Sequence, residues 1–237
     1  MTDSTKRDYS EWKGWSEGSF GTLSRSDIDY FEREMNRISR GRAARTVLEI
    51  GFGDGRFLEF MRALGCEVTG VELLPELVHR AVSAGFRAYR ADEPNALSGQ
   101  QFDLVVALDV LEHIPPEQTV EFLASLKDRL ADRGRVVLRF PNADSWLGSP
   151  FQNGDPTHVN AIGLMKMQYY AQEAGLRITS FRAPARRGFK SSVIYGIHGL
   201  TAAPVIKAAA GLTRALYFPD LKVVLSAGNV VCVLESR

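Results

Sequence analysis

The chain has 237 residues, 45 % of them hydrophobic and 24 % charged, with 29 Lys plus Arg against 28 Asp plus Glu. That is the composition of a globular protein with a sizeable core, and it excludes a disordered chain, a collagen and a coiled coil. A formal net charge of +1 supplies no field to hold a polyanion, so nucleic acid is not an expected partner.

The N-terminal arm carries Tyr9, Trp12, Trp15 and Phe20 in a polar, glycine-containing setting. Such aromatics either close over a ligand or anchor the arm to the core. Ile28, Phe31, Met35 and Ile38 fall at helical spacing and predict an amphipathic helix over Asp27–Ile38. Residues 1–45 therefore read as an arm and helix that cap a main domain over residues 46–237.

Within that domain Thr46–Ile50 predicts a strand, Phe57–Leu64 a helix, Glu67–Glu72 a strand and Pro75–Ala84 a helix with proline in its first turn. Phe86–Ala91 is a weaker strand, and Phe102–Val110 is an apolar run of the kind buried on both faces of a sheet. Pro116–Ala131 predicts a helix, Gly134–Asn142 a strand, Ala161–Gly175 a helix, Leu176–Ala183 a strand and Asn229–Glu235 the last strand. Strands alternating with helices imply a parallel sheet covered on both faces, with ligands beyond the carboxyl ends of the strands.

Residues 184–228 form an insertion in which Arg186, Arg187, Lys190, Lys207, Arg214 and Lys222 face only Asp220. Its predicted helix, Thr201–Phe218, puts Val205, Ala209, Leu212 and Leu216 on one stripe. Packing on the domain or forming a homodimer is the expected use of that stripe. Peripheral contact with a membrane is the alternative. Cys66 and Cys232 stand far apart in apolar runs without metal spacing and read as core residues of a reducing compartment. The opening residues have no apolar leader segment and no run of about 18 apolar residues occurs, so the expected location is cytoplasmic.

The densest chemical signal is VLEIGFGDG, in which Glu49 precedes Gly51, Gly53 and Gly55 at a strand-to-helix turn. Glycines let backbone approach a ligand closely, and the next helix offers unpaired N–H groups. A dinucleotide fingerprint needs glycine three positions after Gly53, where Arg56 stands instead. Glu49 and Asp54 suit a cationic ligand better than a pyrophosphate.

An acid followed by G-x-G-x-G resembles the first motif of the class I S-adenosylmethionine-dependent methyltransferases. The likeness runs from Thr46 to Asn142, through GVELLP, RADE, FDLVVALDVLEHI and GRVVLRFPN. It implies an α/β fold, Rossmann-like and doubly wound, with a mostly parallel seven-stranded sheet, helices on both faces and one antiparallel strand. It also implies S-adenosyl-L-methionine as cofactor, with Glu72 on the ribose hydroxyls, Asp92 at the adenine and Asp109 near the methionine part. Glu49, Gly51, Phe52, Gly53, Gly55, Leu73 and Val110 complete the implied cofactor site.

Methyl transfer to a hydroxyl calls for a base beyond the fifth strand. His79 reads as an outer helix residue, His198 as an acceptor contact or plain surface, and His113 as a residue that orders the turn after Asp109, with catalysis as a lesser reading. His158, in DPTHVN, is the candidate base, with Asp155 three residues earlier to orient its imidazole. The bland reading is that Asp155 or Thr157 caps the helix from Ala161. Asn142, Asp144, Asp155 and His158 offer metal-ligand chemistry, but no pair has diagnostic spacing, and no metal is assigned.

The aromatic arm, DPTHVN and the terminal LSAGNVVCVLE more loosely resemble methyltransferases of bacterial surface-polysaccharide and lipopolysaccharide biosynthesis. This implies O-methylation of a sugar hydroxyl on a glycan or glycolipid intermediate. The alternatives are another small-molecule acceptor, a quinone or phenol, and a non-catalytic cofactor-binding scaffold.

Overall fold

The computed structural model describes residues 20–39, 41–93 and 97–237, so Tyr9, Trp12 and Trp15 of the expected arm lie outside the described residues. The chain forms α1 (Arg25–Ser39), β1 (Thr46–Ile50), α2 (Arg56–Ala63), β2 (Glu67–Glu72), α3 (Pro75–Ser83), β3 (Arg87–Arg90) and β4 (Phe102–Leu108). There follow α4 (Thr119–Lys127), β5 (Leu130–Pro141), α5 (Ser149–Asn153), α6 (Leu164–Glu173), β6 (Leu176–Arg182), α7 (Val193–Leu200), α8 (Ala202–Tyr217) and β7 (Asn229–Ser236).

The strands make one seven-stranded sheet in the order β3-β2-β1-β4-β5-β7-β6. The first five run parallel to their neighbours, and β7 runs antiparallel to both β5 and β6. This is the Rossmann-like doubly wound sheet that the motifs imply. The central strands are apolar at nearly every position because both faces are covered. Leu48, Val105 and Leu138 pack on one side with Leu123 and Met167. Val47, Leu104, Val106 and Val137 pack on the other with Phe57 and Leu77. From β1 the chain moves outward through β2 and β3, then returns to place β4 on the other side of β1. That reversal opens a crevice between the carboxyl ends of β1 and β4.

Three predicted elements differ from what forms. The fourth helix stops at Lys127 rather than Ala131, because Leu130 pairs with Phe102 at the start of β4 and buries its side chain in the core. Sheet pairing here overrides the helical propensity of the Lys127–Ala131 segment. The helix placed from Ala161 begins at Leu164, whose N–H donates to Asp144 Oδ2 at 2.7 Å. Helix α1 is not simply apolar inside and charged outside. Ile28 is exposed, while Asp29 and Glu34 are buried beside Tyr30, Phe31 and Ile38.

Those two acids fasten the segment after β6. Asp29 accepts hydrogen bonds from Gly188 N–H and Ser191 Oγ, each at 2.7 Å, and from Arg33 Nε at 2.6 Å. Burial pushes its carboxyl up, but Arg33, the Gly188 N–H and the Ser191 hydroxyl outweigh this and hold it at about 2. Glu34 accepts Ala185 N–H at 2.5 Å and pairs with Arg182.

Phe140 on β5 has no exposed surface and sits in the larger core. Phe140→Ala should lower unfolding stability by about 3 to 5 kcal/mol, read as a lower urea midpoint at unchanged slope. A loss under about 1 kcal/mol would show that the site collapses without a cavity.

Candidate active site

The crevice is lined first by the turn after β1. Gly51 has φ 70° and donates its N–H to Val71 O at 2.7 Å. A Cβ there would lie 2.5 Å from Cγ2 of Val110, which enters from the far side of the crevice. Gly55 has φ 73°, and its missing Cβ leaves room for the ring of Phe20, 2.3 Å from where that atom would be. Phe20 thus closes on the loop and meets Phe52 edge-on, with ring centroids 6.1 Å apart. The Phe52 ring is buried against Gly70, so the loop presents its backbone rather than that side chain.

Two carboxyls project into the same space. Glu49 is 3 % exposed and its Oε2 is buried with no hydrogen-bond partner among the described residues. Burial first, then the charges of Asp54 and Glu72, push its carboxyl well up from the ordinary range, against Arg139 and the Leu58 N–H. Glu72, at the end of β2, accepts Gly53 N–H at 3.0 Å on Oε2, and Leu73 and Leu74 N–H at 2.7 and 3.2 Å on Oε1. Burial raises it too, with the three N–H donors working the other way. Leu73 is exposed at the rim, and Asp92 pairs with Arg90 at the end of β3. An orphaned buried carboxylate oxygen beside a glycine cradle fits a small cation, and fits an anionic phosphate poorly.

Beyond β4, Asp109 holds φ 58°, a conformation rare outside glycine, and donates its N–H to Arg139 O at 2.8 Å. Its carboxylate takes a two-pronged contact from Arg139, with Nε–Oδ1 at 2.9 Å. Arg139 also donates to Tyr30 Oη at 3.2 Å. Burial disfavours its charge, but Asp109 and Tyr30 more than restore it, so Arg139 is held protonated.

The next turn, Leu111–His113, carries a second group of titratable side chains. The segment 155–160 folds onto it through Val159 and Asn160 N–H, which donate to Glu112 O at 2.9 and 3.1 Å. Four side chains converge. His158 Nε2 lies 3.5 Å from Asp155 Oδ2 and 3.9 Å from Glu112 Oε1, and the His113 and His158 rings meet edge-on at 4.7 Å. Asp155 is anchored through Oδ1, which accepts Thr157 N–H at 2.9 Å and Thr157 Oγ1 at 2.5 Å. Thr157 Oγ1 also lies 2.9 Å from His113 Nδ1. The His158 side chain is 8 % exposed and its Nδ1 has no hydrogen-bond partner among the described residues.

The structure therefore brings His158, Asp155 and His113 together and adds Glu112, which sequence reasoning left unassigned although the L-E-H turn was visible. Asp155 and Thr157 do not cap α6, because Asp144 does that. Asn142 is likewise taken up structurally, since its Nδ2 donates to Val224 O at 2.5 Å and Ala227 O at 3.1 Å. The ligand set containing Asn142 and Asp144 thus falls away. Among the described residues, ligand atoms of Glu112, His113 and His158 instead lie within 4.8 Å of one another, a grouping that could take a metal ion. His79 and His198 are exposed.

A Rossmann-like sheet with an acidic, glycine-lined crevice at its switch point defines an S-adenosylmethionine-dependent methyltransferase. Residues 25–181 match the methyltransferase-domain family model, and the chain belongs to that family. A similar relative, the mitochondrial ubiquinone biosynthesis O-methyltransferase of Schizosaccharomyces pombe, is 30 % identical over 54 % of this chain and 49 % of its own length. The matches thus span about half or less of the curated relatives. Among solved structures, a SAM-dependent methyltransferase from Archaeoglobus fulgidus aligns with TM-score 0.63 at 19 % identity, covering 90 % of this chain and 95 % of that one. The magnesium protoporphyrin IX methyltransferase of Synechocystis PCC 6803, solved with bound SAH, aligns with TM-score 0.60 at 13 % identity over 100 % of both chains.

Glu49 supplies a test of the cradle. Its folded-state affinity for protons lies above the unfolded value near 4.5, so the ligand-free chain binds more protons than the unfolded chain and loses stability as pH rises from there. Glu49→Gln should therefore raise the melting temperature of the ligand-free protein at pH 7 to 8 while weakening S-adenosylmethionine at least about tenfold by calorimetry. A variant that binds the cofactor as tightly as the wild type would show that Glu49 does not face the cation.

Proposed function

We propose that the protein is an O-methyltransferase whose acceptor is a small phenol or quinol, with His158 taking the hydroxyl proton. The observation that carries this reading is the buried imidazole of His158 between Asp155 and Glu112, on the turn that follows the cofactor crevice. Bound S-adenosylmethionine supplies an electrophilic methyl on a positively charged sulfur that leaves as a neutral thioether.

The chain's own residues do the rest. Gly51, Gly53 and Gly55 let backbone close around the cofactor, Glu72 holds ribose hydroxyls, and Asp92 marks the adenine end. Asp109 and Val110 form the wall between cofactor and acceptor. A neutral hydroxyl is a weak nucleophile, so its proton must leave as the oxygen–carbon bond forms. His158 Nε2 accepts that proton, and the carboxylates at 3.5 and 3.9 Å stabilise the imidazolium that results. His113, fixed through Thr157, packs on the ring and holds its orientation.

This base favours one acceptor class. A phenol is a far stronger acid than a sugar hydroxyl and gives up its proton to an imidazole base more readily. The naming of the curated relatives as ubiquinone biosynthesis O-methyltransferases supports the same side. The glycan or glycolipid acceptor implied by the looser sequence resemblance has no such support.

A second reading is favoured by the close approach of Glu112, His113 and His158. The 3.9 Å between His158 Nε2 and Glu112 Oε1 is longer than a hydrogen bond, and ligand atoms of all three residues lie within 4.8 Å of one another, a spacing that could draw in around an ion. A divalent cation there would acidify the hydroxyl directly, and activity that disappears on exhaustive chelation and returns with metal would select that reading.

His158→Ala should leave S-adenosylhomocysteine affinity unchanged and lower turnover by about 10² to 10⁴ with a phenolic acceptor. The decisive assay is release of S-adenosylhomocysteine across a panel of phenols, catechols and sugars. Release with sugars alone, or an undiminished rate in the His158 variant, would overturn the assignment.

A further inference from the structure

Helices α7 and α8 are continuous but for the break at Thr201, and together they span Val193–Tyr217, 25 residues. By length and composition this rod could cross a membrane, yet only 11 % of its most apolar stretch is buried. In α7 only Gly196 is buried, and in α8 only Ala203. Ile194, Leu200, Val205, Leu212 and Leu216 are 63–79 % exposed. The stripe expected to pack against the domain does not do so.

What surrounds these apolar side chains is basic. Lys207, Arg214 and Lys222 are exposed, and among the described residues none of them makes an ion pair. Lys190 pairs with Glu32 at 3.1 Å and is itself 71 % exposed. The sole acid of residues 184–228 is Asp220. An isologous contact with a second copy would set these cations against themselves. A surface that is apolar and negatively charged matches both halves of the patch.

Both ends of the rod are tied to the domain. On the entry side Ala185, Gly188 and Ser191 bond to Glu34 and Asp29. On the exit side Val224 and Ala227 O accept Asn142 Nδ2, Leu225 O accepts Ser145 Oγ, and Gly228 O accepts Asn142 N–H. The rod is about 37 Å long at about 1.5 Å per residue. A crossing would strand its far end on the opposite side, and the six residues from Phe218 to Val223, which include a turn closed by Leu221 N–H on Phe218 O, would have to return through hydrocarbon with backbone groups unpaired. It can lie on a bilayer but not pass through one.

We infer that α7 and α8 form an interfacial anchor that lies flat on an anionic lipid bilayer, with Leu212, Leu216 and Ile194 in the acyl boundary and Lys207, Arg214 and Lys222 at the headgroups. Apolar area and basic charge then act together, as in interfacial helices generally. The anchor stands independently of the acceptor assignment.

The test is flotation of the full chain with vesicles of pure phosphatidylcholine and with vesicles carrying about a third phosphatidylglycerol. The wild type should float with the anionic vesicles, less so at high salt, and bind the neutral ones weakly. Leu212→Asp/Leu216→Asp should weaken anionic-vesicle binding by at least about tenfold. Lys207→Glu/Arg214→Glu should weaken it by about fivefold per charge removed or more. Both variants should keep wild-type affinity for S-adenosylhomocysteine, which shows that they are folded. Wild-type protein that stays in the soluble fraction, or equal binding to neutral vesicles, overturns the inference. So does flotation unaffected by Leu212→Asp/Leu216→Asp. A vesicle-free dimer that this double variant dissociates, without any flotation of the wild type, would assign the face to a second copy instead.

Discussion

Two carboxyls held out of water at the ends of β1 and β2 set the terms for the rest of the structure. Glu72 is buried but compensated by three backbone N–H donors, whereas Glu49 leaves an oxygen orphaned in the same crevice. A buried carboxylate without a partner is costly unless it takes a proton or meets a cation. Burial pushes Glu49 toward the first course, raising its proton affinity. A bound sulfonium or ammonium group would offer the second. Stability given up in burying the acid thereby becomes selectivity for a positively charged ligand. The glycines belong to the same design, since any side chain at Gly51 would run into Val110 before the crevice could hold anything.

Tension of a different kind sits across the crevice. Asp109 occupies a left-handed conformation that costs a non-glycine residue about 1 to 3 kcal/mol unless its surroundings impose it. Arg139 imposes it from β5, accepting at its carbonyl and donating from its guanidinium. The arginine continues to Tyr30 of α1, and Arg187 lies over the Tyr30 ring at 5.5 Å and the Tyr195 ring at 5.8 Å. One contiguous set of contacts therefore joins the strand end, the N-terminal helix and the start of α7. The buried Asp29 and Glu34 make the same connection from below. The helix before the sheet is in this way a clamp on the segment after β6.

The sheet and the glycine turn after β1 were legible in the sequence because both are local signals. Buried parallel strands announce themselves as apolar runs such as Phe102–Leu108, and a G-x-G-x-G turn is written in consecutive residues. What could not be read depends on contacts between distant segments. Asp29 and Glu34 look like outer-face charges until the segment around Gly188 is brought against them. Leu130 reads as the end of a helix until Phe102 pairs with it. Glu112 is an unremarked member of a turn until residues 155–160 fold back through its carbonyl. Asp144 and Asn142 resemble metal ligands in composition alone, and only the fold shows them capping α6 and holding Val224 and Ala227. Helix α7 escaped notice because its pattern is apolar on more than one face, which no periodicity argument resolves.

The cluster on the acceptor side gains its chemical character from rigidity. Its parts come from two segments, 111–113 and 155–160, that share backbone hydrogen bonds and the hydroxyl of Thr157. That hydroxyl bonds Asp155 and reaches His113, so it fixes a carboxylate and an imidazole at once and leaves His158 between two acids. The ring is thereby held in one orientation by its neighbours rather than by solvent. Such a site suits an acceptor that brings little water with it. The contacts from Tyr195 through Arg187 and Tyr30 to Arg139 tie the start of the exposed rod to the wall of the crevice.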